Sequence, residues 1–187
     1  MVMGSFVTLF NYITFRLTGA EFGLTQTLVS FIFLSYLFGA GCSSLTGKMV
    51  NRIGRGATLR VGLAVMAAGL SMTLTGVLLL VIVGIAVFTC GFFVTHTAAS
   101  TWVGRQAKTA KAQASSLYLF FYYLGASVSG TAGGFCWTHM GWPGVACLIG
   151  LLLLTAGAIT LLLTKQTAGC EPAALRPGGP INPLSPR

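Results

Sequence analysis

From residue 57 to residue 103 the chain carries a single charged side chain, Arg60. A transmembrane helix needs about 20 mostly apolar residues to cross roughly 30 Å of hydrocarbon. The stretch is too long for one crossing, so it must double back. The polar patch Ser71, Thr73, Thr75 and Gly76 is the predicted turn. Apolar runs of similar length lie on either side. Six spans are expected, at roughly 2–17, 25–46, 57–76, 79–103, 115–137 and 143–164. No Lys or Arg precedes the first run, so it does not read as a secretory signal.

Composition closes off the other classes. Charged residues make up 7% and hydrophobic residues 55% of the chain, whereas a soluble domain carries about 25% charge. A disordered chain is polar and charge-rich. The net charge of +9 does not indicate nucleic acid, because the basic residues form short clusters between apolar runs rather than a basic face on a polar domain. Five cysteines are scattered, four of them (Cys42, Cys90, Cys136, Cys147) in apolar runs, so a disulfide scaffold is not expected. One intramembrane histidine and isolated cysteines do not form a metal-ligand set. No metal, cofactor or enzyme constellation is expected.

The basic clusters write the topology. Lys48, Arg52, Arg55 and Arg60 lie between spans two and three, Arg105, Lys108 and Lys111 between spans four and five, and Lys165 after span six. The opposite loops hold Glu21, the Ser71–Gly76 turn and the His139–Gly144 turn, with only Arg16 nearby. The positive-inside rule places both termini in the cytoplasm. Residues 1–165 thus read as a transmembrane domain. Residues 166–187, broken by Pro172, Pro177, Pro180, Pro183 and Pro186, read as a disordered cytoplasmic tail.

Lipid tails are as apolar as Leu, so helices in a membrane associate through small residues that let backbones approach. Gly125, Ser129 and Gly133 recur every four residues, with Ala126, Gly130 and Gly134 in a parallel row. Gly39, Ser43 and Gly47 repeat the spacing on span two. These faces fit static packing and a moving interface equally.

The loop after span two reads Gly47-Lys48-Met49-Val50-Asn51-Arg52-Ile53-Gly54-Arg55-Gly56. Topology and turning explain Gly and basic residues there, but the order is more specific than that. It resembles the second copy of the loop signature of the major facilitator superfamily, usually Gly-x-Leu-x-Asp-Arg-x-Gly-Arg-Arg/Lys, carried here by Gly47, Asn51, Arg52, Gly54 and Arg55. The stretch Gly91–Gly104 resembles helix ten of that family's sugar-efflux-like, YnfM-type branch, Ser115–Gly125 the start of helix eleven, and Gly141–Gly144 the turn that follows. The resemblance covers about residues 5–164 and matches the C-terminal six-helix half of a twelve-helix fold. It implies a second six-helix half, either an N-terminal half or another copy. Asn51 replaces the loop Asp, so a charge-relay latch on the cytoplasmic side would be weaker.

Polar groups at the membrane midplane invite a functional reading. His96 lies nine residues before Arg105, about 13 Å deep at 1.5 Å per residue. It reads as a cavity or proton-responsive group, or as a structural histidine bonded to a neighbouring Ser, Thr or Tyr. Ser100 shares its face. Asn11 and Tyr12, in the middle of span one, fit cavity lining or packing, since the resemblance makes this helix line the central cavity. Tyr118 and Tyr122 share a face of span five, as substrate contacts or as packing. Arg16 is expected to snorkel to the outer interface, and Trp102, Trp137 and Trp142 to anchor at it. No Asp or Glu lies within any span, so a coupling carboxylate would have to come from another half.

The expectation is an all-α membrane protein of six transmembrane helices, built as two inverted three-helix repeats in a bacterial inner membrane. Its partners would be the lipid bilayer, a second six-helix half and a small-molecule substrate. The function implied by the resemblance is alternating-access transport of a small organic solute, in the efflux direction. The alternative is a non-transporting truncated membrane module or partner-binding scaffold.

Overall fold

The computed structural model describes residues 1–106 and 110–170, with the side chains of 105–106 and 165–170 outside the description. Lys108 and residues 171–187, most of the expected tail, lie outside the described residues. The described residues are helical throughout: α1 (Val2–Thr18), α2 (Gln26–Ser30), a 3-10 turn (Phe31–Leu34), α3 (Ser35–Ile53), α4 (Arg55–Met72), α5 (Leu78–Gln106) and α6 (Lys111–Cys170). The helix thus runs past residue 166, where the tail was expected to start.

Three helical runs are long and apolar enough to cross a membrane: Gln26–Ile53, Leu78–Gly104 and Lys111–Thr164. The difference from the expected six has a local cause at each place. Residues Val2–Thr18 make a helix of 17 residues, about 26 Å long at 1.5 Å per residue. The 18 residues of α4 begin at Arg55 and include Arg60. The last run has 54 residues, about twice what one crossing uses. It is interrupted at Gly141, whose φ of 61° and ψ of −149° are non-helical. A β-carbon is costly at positive φ, so glycine is the residue for this break. Pro143 follows it at the start of the second arm, where a missing N–H costs nothing.

A second glycine makes the connection in the signature loop. Gly54, with φ of 80°, is the one residue between α3 and α4. Its carbonyl accepts both the Thr58 backbone N–H at 3.1 Å and the Thr58 hydroxyl at 2.8 Å, which closes the first turn of α4.

One apolar core ties the helices. Phe6, Leu9 and Ile13 of α1 meet Met66 of α4, Phe88 and Phe92 of α5, and Val145 and Ile149 of the second arm of α6. Phe6 and Phe92 stack at 3.9 Å. Much of the remaining surface is apolar, including Leu37 and Leu154 at 71% and 74% exposure, as lipid contact requires.

The closest backbone approach is one the sequence reading did not single out. A β-carbon on Gly84 of α5 would lie 2.7 Å from the Gly69 carbonyl of α4, and one on Gly91 2.7 Å from that of Gly62. Two glycines per helix, seven residues apart, bring α4 and α5 into backbone contact. The expected small-residue face of α6 receives α1: a β-carbon on Gly4 would meet Ser129 and lie 2.8 Å from the Gly125 carbonyl, while Tyr12 covers Gly133 and Gly134. On α3, Gly39 accommodates the Phe93 ring, and the Ser43 hydroxyl bonds that of Thr97 at 2.7 Å. Gly47 differs: a β-carbon there would meet nothing within 4 Å, so it is not part of a close contact within the described residues.

Cys42 of α3 and Cys90 of α5 form a disulfide, with Cα atoms 5.5 Å apart. The scattered cysteines thus include a cross-helix pair that the sequence reading set aside. The residues are 48 apart in sequence, and only the packing of α3 on α5 brings them together.

Candidate functional site

Two polar constellations stand at opposite ends of the bundle. The first surrounds His96. On α5, Phe92 and His96 are one turn apart, and their rings stack with an interplanar angle of 6°. On the first arm of α6, Tyr118 and Tyr122 are likewise one turn apart. The two helix faces meet so that His96 Nδ1 and the Tyr118 hydroxyl are hydrogen-bonded at 3.0 Å. The Tyr122 ring lies 4.9 Å from the imidazole. His96, Tyr118 and Tyr122 border a cavity of about 520 Å3 between the start of α1, the second half of α5 and both arms of α6, completed by Thr95, Ala99 and Ile159. A volume of this size falls within the usual range for small-molecule sites.

Not every residue expected at a cavity is at this one. His96, Tyr118 and Tyr122 come together. Tyr12 packs against α6 instead, donating from its hydroxyl to the Gly130 carbonyl at 2.8 Å and stacking with Trp137. Asn11 is exposed on the neighbouring face of α1, near Gly130. Ser100 bonds back to the Thr97 carbonyl at 3.2 Å and does not border the cavity. In the signature loop, Asn51 and Arg52 are exposed and Arg55 half-buried.

The second constellation centres on Arg16. Snorkelling was expected, but its side chain is only 6% exposed. The guanidinium forks onto the Glu21 carboxylate through Nε and Nη2. It also donates to the backbone carbonyls of Thr73, through Nη1, and Thr75, at 3.0 Å. Trp142 is buried rather than anchored at an interface: its indole N–H donates to the same Thr73 carbonyl at 3.0 Å. Its ring and that of Phe22 lie within 6 Å of the guanidinium carbon, a cation–π geometry. One arginine therefore ties together the α1–α2 loop, the α4–α5 turn and the Gly141 break. The hydrogen bond from Arg16 holds the Glu21 carboxyl below the usual carboxylate range.

The apolar helices define an integral membrane protein, and comparison with known sequences narrows the class. The sequence profile of the Major Facilitator Superfamily matches residues 1–184. The inner membrane transport protein YnfM of Escherichia coli (strain K12) is 48% identical over 156 residues, covering 83% of this chain and 37% of that protein. The uncharacterized MFS-type transporter YybF of Bacillus subtilis (strain 168) is 46% identical over 156 residues, covering 83% of this chain and 39% of its own. A transporter of Buchnera aphidicola subsp. Schizaphis graminum is 44% identical over 165 residues, with 88% and 40% covered. No solved structure matches. The chain belongs to the Major Facilitator Superfamily, a family of membrane transporters. It spans 37–40% of the length of these relatives.

Proposed function

We propose that the chain forms a six-helix half of an alternating-access transporter for a small organic solute, working in the efflux direction. The six spans would be Val2–Thr18, Gln26–Ile53, Arg55–Met72, Leu78–Gln106 and the two arms of α6, arranged as two inverted three-helix repeats. Both termini would face the cytoplasm of a bacterium whose inner membrane holds the protein. The bias of Lys48, Arg52, Arg55, Arg60 and Lys111 to one set of loops supports that orientation. A second six-helix half would close the translocation path.

The observation that carries this reading is the His96–Tyr118 hydrogen bond on the wall of a sizeable cavity between α1, α5 and α6. A polar pair in a membrane domain is costly unless packing or a wet pathway accommodates it. The Arg16 cluster supports a rigid outer end, about which the cytoplasmic end would open.

Solute flux in reconstituted vesicles tests the reading. His96→Ala in the assembled transporter is expected to lower flux at least tenfold while membrane insertion is unchanged. Full flux across the pH range in that variant would refute a role for His96.

A non-transporting module or partner-binding scaffold is the second reading. The uncharged Asn51 in the signature loop favours it. The DNA upstream discriminates: six further spans, in frame or as a neighbouring gene, favour the transporter, and their absence together with monomeric crosslinking behaviour favours the module.

A further inference from the structure

Buried hydroxyls in this bundle bond back along their own helices. Thr89, Thr95 and Thr160 each donate at 2.8 Å to the carbonyl four residues earlier. Among the described residues two buried hydroxyls make no bond, Thr8 and Ser35. Thr8 sits in the regular α1 helix, where another rotamer reaches the carbonyl one turn back. Ser35 is differently placed. It follows the 3-10 turn Phe31–Leu34, and ψ is −25° at Ser30, −22° at Leu34 and −24° at Ser35, against about −42° in an α-helix. Its N–H donates to the Ile32 carbonyl, three residues back, and not to that of Phe31. A 3-10 turn advances about 120° and 2.0 Å per residue, an α-helix about 100° and 1.5 Å. Over the four steps to Ser35 the Phe31 carbonyl is therefore turned about 80° from where the hydroxyl would meet it. Beside the turn lies a crevice of about 100 Å3, walled by Phe31, Phe38, Ile82 and Ile85, with Ser35 its one polar side chain among the described residues. Those side chains give a water one polar partner where it needs two to four, so the crevice leaves Ser35 unpaired.

From this geometry we infer that the Gln26–Ile53 span contains a winding switch. Phe31–Leu34 converts between 3-10 turn and α-helix, and the Ser35 hydroxyl, bonded to the Phe31 carbonyl in the α form alone, sets the balance. The longer arm is fixed: α3 is held to α5, where Gly39 receives the Phe93 ring and the Ser43 hydroxyl bonds that of Thr97. The short arm α2 is the part that turns. Rewinding carries it about 80° round and 2 Å toward α3. One α-helical residue corresponds to about 100° and 1.5 Å, so Leu28 arrives within about 20° and 0.5 Å of the place Val29 now holds. Val29 is 1% exposed in the core beside α1, and Leu28 is 53% exposed. Both forms thus bury an aliphatic side chain at the same spot, and the change is a one-residue slip of α2 along α1. The crevice gives the side chains of the turn room to repack. In the 3-10 form the unpaired hydroxyl costs about tenfold in population, which keeps the α form within reach. Ser35 Oγ is buried inside this chain, so a second half does not reach it. The inference goes beyond the transport reading and does not rest on it.

Pulsed electron double resonance on the full chain in lipid nanodiscs tests this. Nitroxides are attached at Thr27→Cys and Leu45→Cys, both exposed, with Cys136, Cys147 and Cys170 replaced by serine. The two sites are 18 residues apart, five whole α-helical turns, so rewinding aligns them on one face and shortens their distance by at least about 3 Å. Two distances are expected in the parent. Ser35→Ala removes the group that favours the α form and is expected to shift the ratio about tenfold toward the longer distance. Ser35→Thr, which keeps a hydroxyl, is expected to retain the parent ratio. Ser30→Ala is the control for general loosening, because the Ser30 hydroxyl already bonds the Gln26 carbonyl at 2.9 Å. A single distance, or a ratio that Ser35→Ala leaves unchanged, would overturn the switch. So would an equal shift in Ser30→Ala.

Discussion

Replacing Arg16 by alanine removes the side chain that joins three connections at one end of the bundle. Two of its four hydrogen bonds go to Glu21 and two to the carbonyls of Thr73 and Thr75. The Glu21 side chain is 46% exposed, so it rehydrates when its partner is lost, and that half contributes about 0.5–1 kcal/mol after solvent screening. The carbonyl bonds have a charged donor, worth about 1.5–3 kcal/mol each. Thr73 keeps the Trp142 indole, and Thr75 is half-buried, so the lower value applies to both. The total for Arg16→Ala is about 4 kcal/mol, while Glu21→Gln should cost no more than about 1 kcal/mol. Reversible unfolding in mixed micelles measures both. The reasoning fails if the two variants are equally destabilised, or if Arg16→Ala stays within about 1 kcal/mol of the parent.

The same cluster predicts a pH dependence. Glu21 is held below its ordinary value by the Arg16 hydrogen bond, so its contribution is complete above about pH 4.3, the unfolded carboxylate value. It is lost as the pH falls through the lower folded-state value, an acid limb that unfolding titrations should show in the parent and not in Glu21→Gln. At the α4–α5 contact, Gly69→Val should destabilise by about 3 kcal/mol, because a β-carbon there lies 2.7 Å from the Gly84 carbonyl and 2.8 Å from the Phe88 Cα, and backbone cannot move aside. Gly150→Ala, where a β-carbon meets nothing within 4 Å, should be neutral or slightly stabilising in the same assay. Cys42 and Cys90 should take up maleimide in the denatured chain only after reduction, as their disulfide requires; mass spectrometry showing either labelled without reductant would count against it.

The apolar runs made an all-helical membrane protein legible, because hydrophobic length and the absence of charge are read directly along the chain. His96, Tyr118 and Tyr122 were legible as candidates because each is polar in an apolar run, and helical spacing puts the two tyrosines on one face. What packing decides was hidden. Arg16 beside an apolar run looks the same whether it reaches the headgroups or two carbonyls almost sixty residues away. Trp142 fits an interfacial anchor equally well until the Gly141 break turns it inward. Gly62, Gly69, Gly84 and Gly91 do not follow the four-residue spacing of the small-residue faces; their seven-residue interval is the sequence signal for the close approach of α4 and α5. Tyr12 could face a cavity or a helix, and Gly133 on the partner helix settled it in favour of packing. The cysteine pair had no sequence signature, since its two members belong to separate helices.

The central claim is that a solute cavity opens from the cytoplasmic end between α1, α5 and α6. Side-specific labelling of Ala99→Cys, on the cavity wall, tests it most directly, with Leu154→Cys on the exposed apolar surface as the lipid-facing reference. With the native Cys136, Cys147 and Cys170 replaced by serine, a membrane-impermeant maleimide should modify Ala99→Cys when added to inside-out vesicles and not to right-side-out ones, and should leave Leu154→Cys unmodified in both. Modification of Ala99→Cys from the outer side alone, or from neither side, would contradict the account.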